Sequence, residues 1–190
     1  MDQFDEITLI KSSQEGDDFS FEKLINIYEK KIYNIALRLM KSHDDAMDMA
    51  QESIIKIYKS IKSFKGNSTF SVWIYRITVN TCFDALRKRK KQNTISLDII
   101  TEELGMQFED KALTPENEFE QKQTLKEIEM AINSLNDEYR IIITLCDIYG
   151  MSYKDIAKIT NTNIGTVKSR INRARLLLQK KLKANSTKKI

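Results

Sequence analysis

One proline, one histidine, one tryptophan, two cysteines and five glycines are spread over 190 residues. So few chain-breaking residues, beside long stretches of Leu, Ile, Lys and Glu, favour helices joined by short turns over a sheet protein. The cysteines, Cys82 and Cys146, lie far apart and form no CxxC, so they read as two reduced thiols packed as small hydrophobes. With His43 as the only histidine, no nucleophile–base set stands out, and no Gly-rich phosphate loop is present. No enzymatic activity, cofactor or metal is therefore expected. His43, Asp44 and Asp45 offer metal-ligating side chains but, with one histidine, make a poor metal site. Glu109, Asp110, Glu116 and Glu118 resemble a nuclease-type metal cluster in type only, because they fall in an expected linker without fixed geometry. No apolar run approaches the length of a bilayer span, and the first residues, MDQFDEITLIKSSQEGDDF, are too acidic and polar for a signal peptide. A cytoplasmic protein with no membrane insertion is expected.

What is present is enough hydrophobic content for cores, 41%, and an uneven charge. Residues 76–91 hold six bases (Arg76, Arg87, Lys88, Arg89, Lys90, Lys91) against Asp84 alone. Residues 151–190 hold eleven bases against Asp155 alone, whereas residues 98–120 hold eight acids against Lys111 alone. Two basic blocks separated by an acidic one suit a polyanionic partner. Charge by itself also permits plain solvated helix faces.

Apolar positions recur at helical spacing from Phe19 to about Leu86. Phe21, Leu24, Ile25, Tyr28, Ile32, Ile35, Ala36 and Leu39 form one stripe. His43-Asp44-Asp45 interrupts it, with Asp44 placed to cap a helix through Ala46, Met49, Ala50, Ile54, Ile57 and Tyr58. After a loop at Ser63–Thr69, the segment from Phe70 to Arg89 is apolar on more than one side, the mark of a helix buried among others. Residues 92–118 contain the acidic run and Pro115 and lack a sustained period, so they read as a linker. Thr114-Pro115-Glu116 suits a helix start, and helical pattern continues to about residue 183. The predicted fold is all-α: an N-terminal extension (1–18), a helical domain (19–91), an acidic linker (92–118), a second small helical domain (119–184) and a tail (185–190).

The second domain carries the most specific local pattern, residues 151–175. Ser152 caps a short helix whose inner side bears Ile156 and the small Ala157. Thr160-Asn161-Thr162-Asn163 is the turn, with Asn161 at the position that needs a left-handed backbone. A second helix buries Val167, Ile171, Ala174 and Leu178 and turns Thr166, Ser169, Asn172 and Arg173 outward, flanked by Lys168 and Arg170. Leu176 falls on the same outer side, without an account. Hydroxyls, an amide and cations on the outer side of a second helix suit base edges and phosphates, the logic of a helix-turn-helix. An ordinary helical hairpin with a basic face is the competing description.

These residues carry a family resemblance. Ser134–Arg140, Tyr149–Ala157 and Gly165–Arg175 resemble region 4 of the extracytoplasmic-function (ECF) sigma factors, a subfamily of the sigma-70 RNA polymerase sigma factors. The family usually has Pro where Asn136 stands. Asp45–Glu52 independently resembles the region 2 segment that grips the polymerase clamp, and Phe64–Asn80 resembles the promoter-melting segment. The motifs come in the family's order and span roughly residues 19–183. The resemblance implies transcription initiation in complex with core RNA polymerase on promoter DNA, control by an anti-sigma factor, and a monomer when free. A stand-alone helix-turn-helix regulator, needing no polymerase, is the alternative.

Asp45, Asp48 and Glu52 recur at i, i+3 and i+7 with Gln51 beside them, which makes an acidic strip on one helix face. The resemblance implies that this strip docks on core polymerase. Phe64, Lys65, Asn67 and Ser68 are expected to form a pocket for unpaired −10 bases. Asn80 offers a base both donor and acceptor, while Arg76, Arg87, Lys88 and Arg89 suit phosphates. Trp73 is read as core in preference to a stacking surface. Thr166, Lys168, Ser169, Arg170, Asn172 and Arg173 are the expected −35 contacts.

Overall fold

In the computed structural model, which describes residues 3–93 and 125–187, the regular elements are helices, and no strand occurs among the described residues. The chain divides into two compact units. Four helices, α1 (Gln3–Glu15), α2 (Asp18–Met40), α3 (His43–Ser60) and α4 (Phe70–Asn93), build the N-terminal one, with a short 3-10 turn at Ile61–Ser63. In the C-terminal half follow α5, seen over 125–133, α6 (Asp137–Ile143), α7 (Tyr153–Thr160) and α8 (Ile164–Thr187).

α2 is the centre of the N-terminal unit and packs against α1, α3 and α4. The apolar stripe read from sequence is its buried face: Leu24, Ile32, Ile35 and Ala36 have no exposed surface. Each such Leu or Ile contributes roughly 1.5–3 kcal/mol through burial. Asp17 caps α2, its carboxylate accepting from the Phe19 N–H at 3.1 Å and from Ser20 Oγ. Lys41 ends the helix in the left-handed region (φ 62°), its N–H returning to the Leu37 carbonyl.

The cap of α3 differs from the expectation. Ser42, not Asp44, stands at the extended N-cap position and accepts from the Asp45 N–H. Ser42 is the residue left outside the helix as the chain leaves Lys41, so Asp44 falls inside the first turn, where its charge faces the positive helix end.

Residues 3–15, expected to lie in an extension, form α1, which docks on α2 and on the 3-10 turn. Ile10 and Ser13 are buried, and Tyr28 Oη donates to Glu6. α1 buries so narrow a stripe that periodicity alone does not reveal it. Gly16 (φ 104°) makes the sharp exit that lets Asp17 cap the next helix.

α4 is enclosed as its two apolar stripes require: Phe70, Val72, Trp73, Ile74, Tyr75, Val79 and Cys82 are all buried. It continues to Asn93, past the expected start of the linker. The remainder of the expected linker, and the helix start at Thr114-Pro115-Glu116, lie outside the described residues, as do 188–190 of the expected tail.

In the C-terminal half, Ile132, Leu135, Ile143 and Ala174 form a core cluster, with Tyr139 and Leu178 against it. α6 is capped by Asn136, whose side chain accepts from the Tyr139 N–H at 2.9 Å. α6 passes into a wide turn at Thr144–Ile148, in which the Tyr149 N–H reaches back to the Thr144 carbonyl at 3.1 Å. Arg140 is almost fully buried. It donates to the Leu135 carbonyl (2.9 Å) and to Asp137 (2.7 Å), and burial pulls its pKa down while Asp137 opposes that.

Candidate polymerase and nucleic-acid interfaces

The acidic strip lies on α3. Asp48, Gln51 and Glu52 are exposed along one face, which Ile55 extends as a half-exposed apolar residue. Glu52 pairs with Lys56 at 2.7 Å, and Lys56 also donates to Thr81 Oγ1 on α4. Asp45, at the head of the strip, is engaged differently: both guanidinium prongs of Arg89 reach its carboxylate, one at 2.6 Å. The Arg89 contact holds the Asp45 carboxyl below its ordinary pKa. The sequence alone assigns these two residues to separate surfaces, and the structure joins them.

The loop between the 3-10 turn and α4 is built on an aromatic footing. The Phe64 ring lies 5.3 Å from Phe70 and 5.4 Å from Trp73, and Tyr28 meets Phe70 from α2. Trp73 is 7% exposed, so it is core. Phe64 remains half-buried, with one side in this cluster. Lys65, Gly66 and Asn67 are exposed, and Gly66 (φ 72°) supplies the left-handed step of the bend. Ser68 Oγ donates to the Thr69 carbonyl, and Thr69 Oγ1 accepts from the Val72 N–H at the start of α4.

At about 100° per residue, Arg76, Asn80 and Arg87 fall within about 40° of one another on α4. All three are exposed. Arg87 also contacts Asp84 one turn back. Lys88 is exposed on an adjoining side. Arg89 points away from this row, toward α3 and Asp45, so the expected cation set splits in two.

Ahead of α7, Ser152 Oγ accepts from the Asp155 N–H at 3.1 Å, the expected cap. Asn161 is left-handed (φ 52°), as its place in the turn requires. Asn163 caps α8, its side chain accepting from the Thr166 N–H at 2.7 Å. Val167, Ile171 and Ala174 are fully buried. Lys168, Ser169, Asn172 and Arg173 are exposed, and Thr166 and Arg170 are half-buried. Arg170 pairs with Glu138 of α6 at 3.0 Å. Arg175, beyond the expected contact set, pairs with Asp147 at 2.6 Å, which holds that carboxyl below its ordinary pKa. Leu176 is 59% exposed on the outer side.

Among the described residues, no three His, Cys, Asp or Glu side chains gather as a metal site requires, and no helix is long and apolar enough to cross a membrane. The cluster of Glu109, Asp110, Glu116 and Glu118 lies outside the described residues.

Two helical units, one with exposed basic residues along α4 and one ending in a helix-turn-helix, define a class of two-part DNA-binding factors. The family Sigma-70 region 2 matches residues 24–92, and Sigma-70, region 4, matches residues 125–178. The chain is 35% identical over 185 residues to the ECF RNA polymerase sigma-E factor of Haemophilus influenzae, covering 95% of this chain and 97% of that one. It is 36% identical over 177 residues to the ECF RNA polymerase sigma factor SigW of Bacillus subtilis, covering 92% and 95%. The sigma factor RpoE of Bartonella quintana, solved in complex with the anti-sigma factor NepR, superimposes with a TM-score of 0.71 at 28% identity, covering 86% of this chain and 96% of that one. The chain belongs to the sigma-70 family of RNA polymerase sigma factors, in its ECF subfamily. It is a transcription initiation factor that binds core RNA polymerase and directs it to promoter DNA. The paired matches, in order along one chain, disfavour a stand-alone helix-turn-helix regulator.

Proposed function

We propose that this sigma factor divides its task among three surfaces. Asp48, Gln51 and Glu52 of α3 meet a basic surface of core polymerase, with Asp45 orienting the head of the strip from its pair with Arg89. Opposite charge there would speed encounter and fix register. The 64–69 loop, with Phe64, Lys65, Asn67 and Ser68, takes an unpaired −10 base, while Asn80 contacts an adjoining base and Arg76, Arg87 and Lys88 hold phosphates. Replacing lost base stacking with protein contacts is what melting without ATP demands. Thr166, Lys168, Ser169, Asn172 and Arg173 read the −35 element, with Arg170 at the flank.

The observation that carries this reading is the row Arg76, Asn80 and Arg87, exposed on one face of α4, the helix that follows a polar loop rooted in aromatic side chains. Region boundaries of about 19–91 and 119–184 accompany it. The protein works in the cytoplasm, catalyses no reaction itself and is a monomer when free. An anti-sigma factor, the kind of partner seen with the Bartonella quintana RpoE, covers its binding faces until released.

Size-exclusion co-elution with bacterial core polymerase, followed by run-off transcription from a selected promoter, tests the reading. Co-elution that Asp48→Ala with Glu52→Ala weakens, and transcription that Asn80→Ala weakens without loss of co-elution, supports it. Tight binding to duplex DNA with no polymerase association overturns it.

A further inference from the structure

Gln14, near the end of α1, is half-buried and makes two long-range hydrogen bonds. Its Nε2 donates to the Ile61 carbonyl at 3.0 Å and to the Phe64 carbonyl at 2.9 Å. Both partners are acceptors, so only the amide nitrogen can face them, and its two N–H groups are both used. The Ile61 carbonyl also accepts from the Phe64 N–H at 3.0 Å, which closes the 3-10 turn. One side chain from α1 thus ties together both ends of the Ile61–Phe64 turn, from which the loop departs. At the far end, Thr69 fixes the chain to the start of α4. Lys65 to Ser68 span two fixed points.

We propose that Gln14 is a positioning residue for −10 recognition: α1 sets the root of the base-reading loop through the Gln14 amide. This rests on the reading of the 64–69 loop given above. The geometry favours positioning over general stability. The bonds go to main-chain carbonyls of the loop root, not to a core side chain. α1 is also docked independently of Gln14, by the Tyr28–Glu6 hydrogen bond to α2 and by the burial of Ile10 and Ser13. A loop whose ends are fixed in advance loses less freedom when it takes up a base.

Gln14→Glu keeps the shape of the side chain but removes both donors and sets an oxygen against two carbonyls. Glu6→Ala weakens α1 docking without touching the loop and serves as the stability control, while Asn67→Ala alters the loop directly. Each full-length variant is reconstituted with core polymerase and transcribes a barcoded promoter pool randomised at −35 and −10. Gln14→Glu is expected to flatten the −10 preference by about tenfold, while leaving the −35 preference and polymerase co-elution as in the wild type. An unchanged −10 preference in Gln14→Glu overturns the proposal while Asn67→Ala still flattens it. So does equal flattening by Glu6→Ala at a matched loss of melting temperature. If Asn67→Ala leaves the −10 preference intact, the loop reading falls and takes this inference with it.

Discussion

Arg89, near the C-terminal end of α4, holds Asp45, in the first turn of α3, with both prongs of its guanidinium. The residues are 44 positions apart, yet the pair fixes the start of the acidic strip to the end of the basic helix. The contact links the two proposed surfaces of the N-terminal unit.

The pair makes stability depend on pH in a defined direction. Arg89 depresses the folded-state pKa of Asp45. The contribution is then fully present above the ordinary carboxylate value of about 3.9 and is lost as pH falls through the depressed value. Arg89 is half exposed, so solvent screening limits the pair to about 1 kcal/mol or less. Asp45→Asn should lower the melting temperature at pH 7 by roughly 2–4 °C. The gap between wild-type and variant curves should begin to narrow below about pH 3.9 and close only once pH is under the depressed value. A gap that stays constant through acidification would show that the ion pair is not its source.

Arg140 should be the costliest charge to remove from the C-terminal half. Truncation to Ala removes the guanidinium that donates to the Leu135 carbonyl and to Asp137, and leaves the space of a buried side chain unfilled. A loss of about 2–4 kcal/mol is expected, read by urea unfolding of the full chain. Arg140→Met, which fills the space, should recover part of it. An alanine variant within experimental error of the wild type would mean that water satisfies those groups.

The thiols should differ in reactivity. Cys82 has no exposed surface, and burial pushes its pKa up to about 12. Cys146 is half-buried; partial burial and Asp147 raise its pKa against the Arg175 guanidinium 3.7 Å away, so its greater exposure sets the order. At pH 8, iodoacetamide followed by peptide mapping should label Cys146 first and Cys82 only on unfolding. Equal labelling under native conditions would contradict the packing of α4.

Promoter affinity should be strongly salt-dependent. Arg76→Ala with Arg87→Ala should reduce the slope of log K against log salt by about 1.4–1.8 for a complex containing the melted −10 strand. Measuring open-complex affinity across a salt series checks this. An unaltered slope removes both residues from the phosphate-contacting set.

Much of the architecture is local and so was readable from the chain. The α2 stripe and the Val167, Ile171 and Ala174 spacing report directly which side of a helix is covered, and all of these residues are buried. Asn161 and Ser152 act within a few residues of themselves, so their roles follow from turn and cap chemistry. Contacts between helices were not readable. Arg89 looked like one more base in a basic run, because its turn toward α3 depends on how the two helices cross. Gln14 sits in a polar segment whose periodicity points to no partner. Arg140 resembled a surface cation, since nothing in its spacing shows that the α5–α6 turn folds over it. For the candidate surfaces, residue types and faces were readable, but the pairing of Arg170 with Glu138 and of Arg175 with Asp147 was not.

Trp73 is the only indole in the chain, and its ring lies 5.4 Å from Phe64 at the foot of the loop. On the proposed reading of the 64–69 loop, a base entering there would shift Phe64 and so alter the surroundings of the chain's strongest fluorophore. The free sigma factor would then carry its own optical gauge: its tryptophan emission should respond to an added −10 single strand.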